Sequence, residues 1–245
     1  MGFQHFIITN FNCYLYENKD INDYDQWMDW RICVFQRFTV PSVLAQTCQQ
    51  FTWLVQLSPQ TPQHYQQKIQ SIIHEVNGRI VGQYHDVCGI PKDIPNADKY
   101  IYSILESDDA IPKQYIQQIQ DVVDIYPVPF LIDMTTMFRV SYDLLHYQVV
   151  YQFLRLLLNP IFSCEIFSVV TNQRKIPPIE HQATYNIYPQ HYTLQNAGVQ
   201  ITHKANQSTG FHDTDYHSPI IHRFPNFLMS QYGWDLGTMR NLIND

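Results

Sequence analysis

Short apolar runs alternate with stretches of helical spacing through the first half of the chain. Residues 6–9, 52–57, 79–84 and 100–105 are rich in β-branched and aromatic side chains and contain no Pro, as buried strands do. Between the first two runs, Trp27, Met28, Arg31, Ile32, Val34 and Phe35 form a wide helical stripe over residues 25–38. Thr39 then stands where a cap would restart a helix reaching Gln50, with Pro41 near its first turn. Tyr65, Ile69, Ile72, Ile73 and Val76 mark one face of a helix that Thr61-Pro62 opens and Asn77-Gly78 closes as a left-handed cap. After Leu105, Pro112 begins a segment with Tyr115, Ile116, Ile119, Val122 and Val123 on one face. Four strands alternating with helices predict an α/β fold with a mainly parallel, right-handed sheet flanked by helices. Residues 130–134 suit a short fifth strand, and residues 138–158 mix strand and helix signals. Beyond Asn159-Pro160 the periodicity weakens and Pro177-Pro178, Pro189, Pro219 and Pro225 punctuate the chain. The expected organisation is therefore an α/β core over residues 1–160 and an irregular C-terminal region, 161–245, of the same domain.

The run at residues 100–105 delivers Glu106, Ser107, Asp108 and Asp109 into a turn. Glu106 and Asp108 lie two residues apart at a strand end, so their side chains point the same way, and a hard divalent cation prefers such oxygen ligands. Asp109 is placed to cap the helix that follows. Asp108 and Asp109 are equally compatible with capping a helix and solvating a turn. In open α/β sheets ligands collect at the carboxyl edge, which holds Thr9 and Asn10 after the first strand and Asp86 after the third.

Composition narrows the classes. The chain has 245 residues, of which 45% are hydrophobic and 15% charged, which argues for a sizeable core and against disorder. A net charge of −7 with no Lys/Arg cluster argues against a general nucleic-acid binder. Five scattered cysteines without CxxC spacing indicate neither a disulfide framework nor a zinc site, and a reducing cytosol fits them. The start lacks the pattern of a signal peptide, Phe6 stands where a myristoylation signal needs Ser or Thr, and no apolar run reaches membrane length. A cytoplasmic protein without a transmembrane segment is the expectation.

Three blocks resemble glycosyltransferases of the GT-A type, most closely a bacterial rhamnosyltransferase-like family. The first runs from Trp27 through Thr39-Val40-Pro41-Ser42, Gln46-Thr47 and Phe51-Thr52-Trp53, where that family carries a Pro-Ser, Gln-Thr, Phe-x-Trp pattern. The second runs from Ala97 to Ile111 and is similar to the family's Asp-Ser-Asp-Asp-Ala-Ile. The third, His222 to Leu228, is similar to its Pro-x-Trp-Leu segment. Glu106 replaces the first Asp of the second block, Ile104 or Leu105 stands where an Arg is usual, and Gln231-Tyr232-Gly233 stands where the family has His before Gly.

The resemblance implies a GT-A-like (Rossmann-like) fold, a nucleotide-sugar donor, a glycan or other hydroxyl acceptor, and transfer of a hexose, rhamnose included, assisted by Mn2+ or Mg2+. Glu106 and Asp108 are the expected metal ligands, with His217 or His222 as candidate imidazole ligands. Thr9, Asn10, Asp86, Ser107 and Asp109 are the expected contacts to the nucleotide. Arg31, inside an apolar stripe, needs an anionic partner, either an internal carboxylate or the donor phosphate. If configuration inverts, the acceptor needs a base, for which Asp133, Asp213 and Asp215 are the candidates. Residues 1–160 would bind the nucleotide sugar and residues 161–245 would face the acceptor. Within the latter, the aromatic loop at residues 211–236 would return over the acidic turn as a lid. The alternative implied by the altered Glu106 and Tyr232 is a catalytically impaired nucleotide-sugar or glycan-binding protein on the same fold. A weaker third class is a structural protein in which the acidic turn only caps a helix.

Overall fold

The computed structural model describes residues 2–12, 23–76, 78–82, 90–141, 146–151, 166–177, 187–188, 190–202, 222–223 and 229–234. Strands β1 (Phe3–Asn10), β2 (Thr52–Leu57), β3 (Gly78–Gly82) and β4 (Lys99–Ile104) pair in parallel in the order β3-β2-β1-β4. This is the parallel half that the apolar runs predict. β1, β2 and β4 are buried on both faces, which is why their runs are continuous rather than alternating, whereas β3 is the partly exposed edge strand. In β1, Ile7 packs into a core shared with the helices, while Phe6 and Ile8 face a second cluster with Tyr102, Phe167 and Val169.

The other half of the sheet is mixed. Strand β6 (Phe130–Ser141) is far longer than residues 130–134, because it carries three partners: β7 (His146–Tyr151), β8 (Phe167–Thr171) and β9 (His191–Thr202). β8 joins the halves by pairing antiparallel with β4. A two-residue strand, β5 (Asp109–Ala110), pairs with β9, and β10 (His222–Arg223) pairs with β7. Strands from both sides of residue 160 therefore share one sheet, and the fold is α/β and Rossmann-like with flanking helices.

Three expectations about helix ends change. Helix α1 (Tyr24–Val34) does not stop before Thr39; it runs through a π turn at Phe35–Thr39 into α2 (Val40–Leu44). Pro41 has no N–H to contribute, and the wide turn just before it lets the helix pass without a break. Thr39 is thus helical and makes no cap bond. Helix α3 (Gln63–Ile73) follows β2 as expected, but Gly78 is the first residue of β3 and is not left-handed. Its role is close approach, since a Cβ there would lie 2.6 Å from the Ile73 Cβ. Asn77 lies outside the described residues. Helix α4 (Tyr115–Asp121) begins at Gln114 with no side-chain cap. Asp109 cannot cap it, because Asp109 is already committed to β5. Among the described residues no helix is long and apolar enough to cross a membrane.

Candidate functional site

The strand order places β1 between β2, its successor in sequence, and β4, which arrives from the far side of β3. The topological switch point, where open α/β sheets bind ligands outside the carboxyl ends, is therefore the crevice between β1 and β4. The acidic turn lies there. The β1–β4 ladder ends with Leu105 N–H donating to the Ile8 carbonyl at 3.0 Å, and Asp109 N–H closes a turn onto the Glu106 carbonyl at 3.2 Å.

Burial alternates through this turn: Leu105, Ser107 and Asp109 are buried, and Glu106 and Asp108 are half-exposed. Ser107 is fastened from two sides. The Arg31 guanidinium donates to its hydroxyl, and the Thr39 hydroxyl donates to its carbonyl at 2.9 Å. The segment after β5 is fastened by the same helix. Ser42 Oγ accepts from Ile111 N–H at 3.3 Å, and the Gln46 amide donates to the Pro112 carbonyl at 3.0 Å and accepts from Ile116 N–H at 3.1 Å. Thr39 and Ser42 are buried at i and i+3 on the helix face, and buried Gln46 continues this polar stripe just past the helix end at Leu44. Sequence reasoning missed this stripe as a holding device; its spacing was the available signal.

Arg31 reaches the turn across aromatic surface. Its guanidinium carbon lies 5.1 Å from the Trp27 ring centroid and 5.8 Å from that of Phe11. It forms no ion pair with a carboxylate among the described residues, so of its two expected partners the internal carboxylate is not found. Of the two residues ending β1, Thr9 is fully buried, and its hydroxyl accepts the Trp53 indole N–H at 2.9 Å. Its side chain therefore serves the core. Asn10 stays at the crevice; its side-chain oxygen is buried and has no hydrogen-bond partner among the described residues. Asn12 ties the neighbouring loops together, accepting from Ser58 N–H at 2.9 Å and donating to Thr61 Oγ1 at 2.8 Å.

Among the described residues, two further candidates stand on other strands. Asp133 is buried in β6, in register with Thr193 of β9. His222 stands in β10, separated from β5 by β9, β6 and β7, which is about 19 Å along the sheet at the usual strand spacing. Asp86, Asp213, Asp215 and His217 lie outside the described residues. Of the loop expected at residues 211–236, the described residues 229–234 anchor on the helix through buried Met229, Tyr232 and Trp234. The Trp234 indole N–H donates to the Phe38 carbonyl at 3.0 Å, and the Gln231 carbonyl accepts from Lys113 N–H at 2.8 Å. Gly233, at φ 70°, closes this turn in the left-handed conformation, and buried Tyr232 packs on Trp234 with centroids 5.1 Å apart. That packing accounts for an aromatic residue before the Gly.

The model of a family described as "Putative rhamnosyl transferase" matches residues 14–143. The chain belongs to this family. The match covers more than half of the 245 residues and takes in the α1–π–α2 helix, β2 to β5, and the acidic turn. No curated protein matches the chain. The first two blocks of the resemblance meet in space: Thr39 and Ser42 of the first hold the backbone of the second at Ser107 and Ile111.

Half-exposed carboxylates at a switch-point crevice suit a hard cation. Among the described residues no group of three His, Cys, Asp or Glu side chains is assembled. An ion held by Glu106 and Asp108 would have to take its remaining ligands from outside the described residues, as Mg2+ commonly does with water.

Proposed function

We propose that the chain is a glycosyltransferase of the GT-A type that transfers a hexose, rhamnose in particular, from a nucleotide-sugar donor to an acceptor hydroxyl. The observation that carries this reading is the acidic turn at the crevice between β1 and β4, presenting two half-exposed carboxylates in a chain of the rhamnosyl transferase family. Glu106 and Asp108 would hold Mn2+ or Mg2+ against the donor diphosphate, and the bound cation would supply Lewis-acid stabilisation of the leaving group.

The chain's own residues supply positioning. Ser107 is held at both its side chain and its carbonyl, so the flanking carboxylates keep their place as the ligand arrives. Asn10 offers a buried acceptor to a nucleotide hydroxyl or amino group, which would satisfy an oxygen that otherwise carries a desolvation cost of roughly 1–3 kcal/mol. An acceptor hydroxyl loses its proton to a base in an inverting reaction; Asp133 is the candidate among the described residues, and Asp213 and Asp215 are the others.

The test is donor hydrolysis and transfer with a panel of nucleotide sugars, with Mn2+ and with EDTA, for wild type and Asp108→Ala. Wild type should turn over at least one donor only with the cation. Asp108→Ala should lose that turnover while keeping its melting temperature within a few degrees. A variant as active as wild type would remove the acidic turn from the reaction.

A further inference from the structure

We propose that Arg31 is a diphosphate anchor: its guanidinium binds the nucleoside diphosphate half of the donor directly, beside the cation that Glu106 and Asp108 would hold. The proposal rests on the donor reading above and adds a second, metal-independent point of attachment.

The position is the first reason. Arg31 spans the crevice, with its head on Ser107 beyond β4 and its plane against Phe11 beyond β1. A ligand entering at the switch point meets it. The second reason is its charge balance. A guanidinium offers five N–H donors in a planar fork, and the one hydrogen bond found goes to a neutral hydroxyl. Nε is buried without a partner among the described residues, and no carboxylate there pairs with the group. Lys68 and Arg79, by contrast, are both paired, with Asp29 and Asp93. A half-buried cation held on Trp27 and Phe11 keeps its orientation without a counter-charge, because aromatic faces attract it and limit its rotation. Such a group suits an anion that arrives and leaves.

The third reason is chemical. The planar fork matches two oxygens of a phosphate, and a diphosphate carries enough negative charge to engage a guanidinium and a cation together. As the glycosidic bond breaks, the leaving diphosphate gains charge, so a fixed guanidinium at this place also favours the transition state over the ground state. The buried acceptor on Asn10 lies on the adjoining strand end, where the nucleoside attached to that diphosphate would extend.

The experiment measures equilibrium binding of inorganic pyrophosphate, UDP, GDP and dTDP to the full chain, first in EDTA and then with Mn2+. Wild type should bind pyrophosphate and at least one nucleotide in EDTA. Arg31→Gln should weaken that metal-free binding at least tenfold. Arg31→Lys, which keeps the charge and loses the fork, should fall between them. Thermal melts of each variant separate a lost anchor from a lost fold, and Arg31→Lys keeps the test open should Arg31→Gln unfold. Arg31 variants binding like wild type in EDTA, or a wild type that binds none of these anions there, would overturn the anchor. The two readings fail separately. Mn2+-dependent binding lost in Asp108→Ala but indifferent to Arg31 would leave the cation site and sink the anchor. Arg31-dependent binding that Mn2+ does not strengthen, with no donor turnover, would leave the anchor and sink the transferase reading.

Discussion

Lowering the pH from 7 to 5 should cost this protein about 2 kcal/mol of stability through one buried histidine, His5. His5 lies in β1 on the face covered by α4, 2% exposed. Its environment fixes its tautomer. The Gln120 amide nitrogen donates to the Gln50 carbonyl at 2.9 Å, and its oxygen accepts from the Cys48 thiol at 3.2 Å, so the nitrogen end faces His5. His5 Nδ1 must then accept from that nitrogen, at 3.2 Å, and Nε2–H donates to Ser103 Oγ at 2.7 Å. The chain of hydroxyls continues from Ser103 to Ser168 and Tyr115, joining β1, β4, β8 and α4. A proton on Nδ1 would point at an amide donor.

Burial accordingly lowers the His5 pKa from 6.5 to about 3. In the unfolded chain His5 takes a proton below about pH 6.5, and in the folded protein it does not until about pH 3. The folded state binds fewer protons in that window, so its stability is complete above pH 6.5 and falls as the pH drops towards 3. At pH 5 the unfolded state is favoured by RT ln(1 + 10^1.5), about 2 kcal/mol. Urea denaturation of wild type and His5→Gln at pH 7 and pH 5 isolates the effect, because the other histidines are common to both and each protein serves as its own baseline. Wild type should lose about 2 kcal/mol more than the variant between the two pH values. Equal losses would refute the reasoning and place the folded His5 pKa near 6.5.

Two further outcomes follow from the helix that holds the acidic turn. Thr39→Val leaves the buried Ser107 carbonyl without its hydroxyl donor and should cost about 1–2 kcal/mol in urea denaturation, while Thr39→Ser keeps the bond and should cost less; Mn2+-dependent nucleotide binding should weaken in the first and survive in the second. Gly233→Ala forces a side chain into φ 70° with its Cβ 2.5 Å from the Pro41 carbonyl oxygen, so it should lower stability by at least about 2 kcal/mol, and a melting temperature equal to wild type would refute the tight approach.

The parallel half of the sheet was legible because burial on both faces gives its inner strands uninterrupted apolar runs, as in Phe6–Ile8 and residues 53–55. The remainder rests on pairings that carry no local signal. The length of β6 depends on β7, β8 and β9, and β5 exists only because β9 passes beside it. Helix ends misled for a related reason. Thr39 before Pro41 has the composition of an N-cap, but the π turn lets the helix continue and frees the Thr39 hydroxyl for Ser107. Asp109 before Pro112 also has the composition of a cap, yet tertiary pairing takes it into a strand. The carboxylate pair itself was legible from its spacing at a strand end. Arg31 stood out as a charge in an apolar stripe, although nothing local indicated that its contact would be a serine hydroxyl.

The same holding arrangement bears on Glu106, which stands where the resembled pattern has Asp. The turn's path is set by main-chain bonds, Leu105 N–H to Ile8 and Asp109 N–H to the Glu106 carbonyl, and by the two bonds to Ser107. None of these uses the Glu106 side chain. A longer side chain at this position therefore changes how far its carboxylate reaches into the crevice and leaves the backbone that carries Asp108 where it is. The extra methylene adds about one carbon–carbon bond, roughly 1.5 Å, to that reach. An ion bound between the two carboxylates would then sit further from the strand ends, with more of its coordination left to water and phosphate oxygens. Mg2+ and Mn2+ tolerate this sharing better than a cation that needs a complete protein cage. On the proposed function, the substitution would thus bear on affinity for the cation and on the donor's depth in the crevice, while the main-chain bonds and the Ser107 bonds that set the turn's path do not use it.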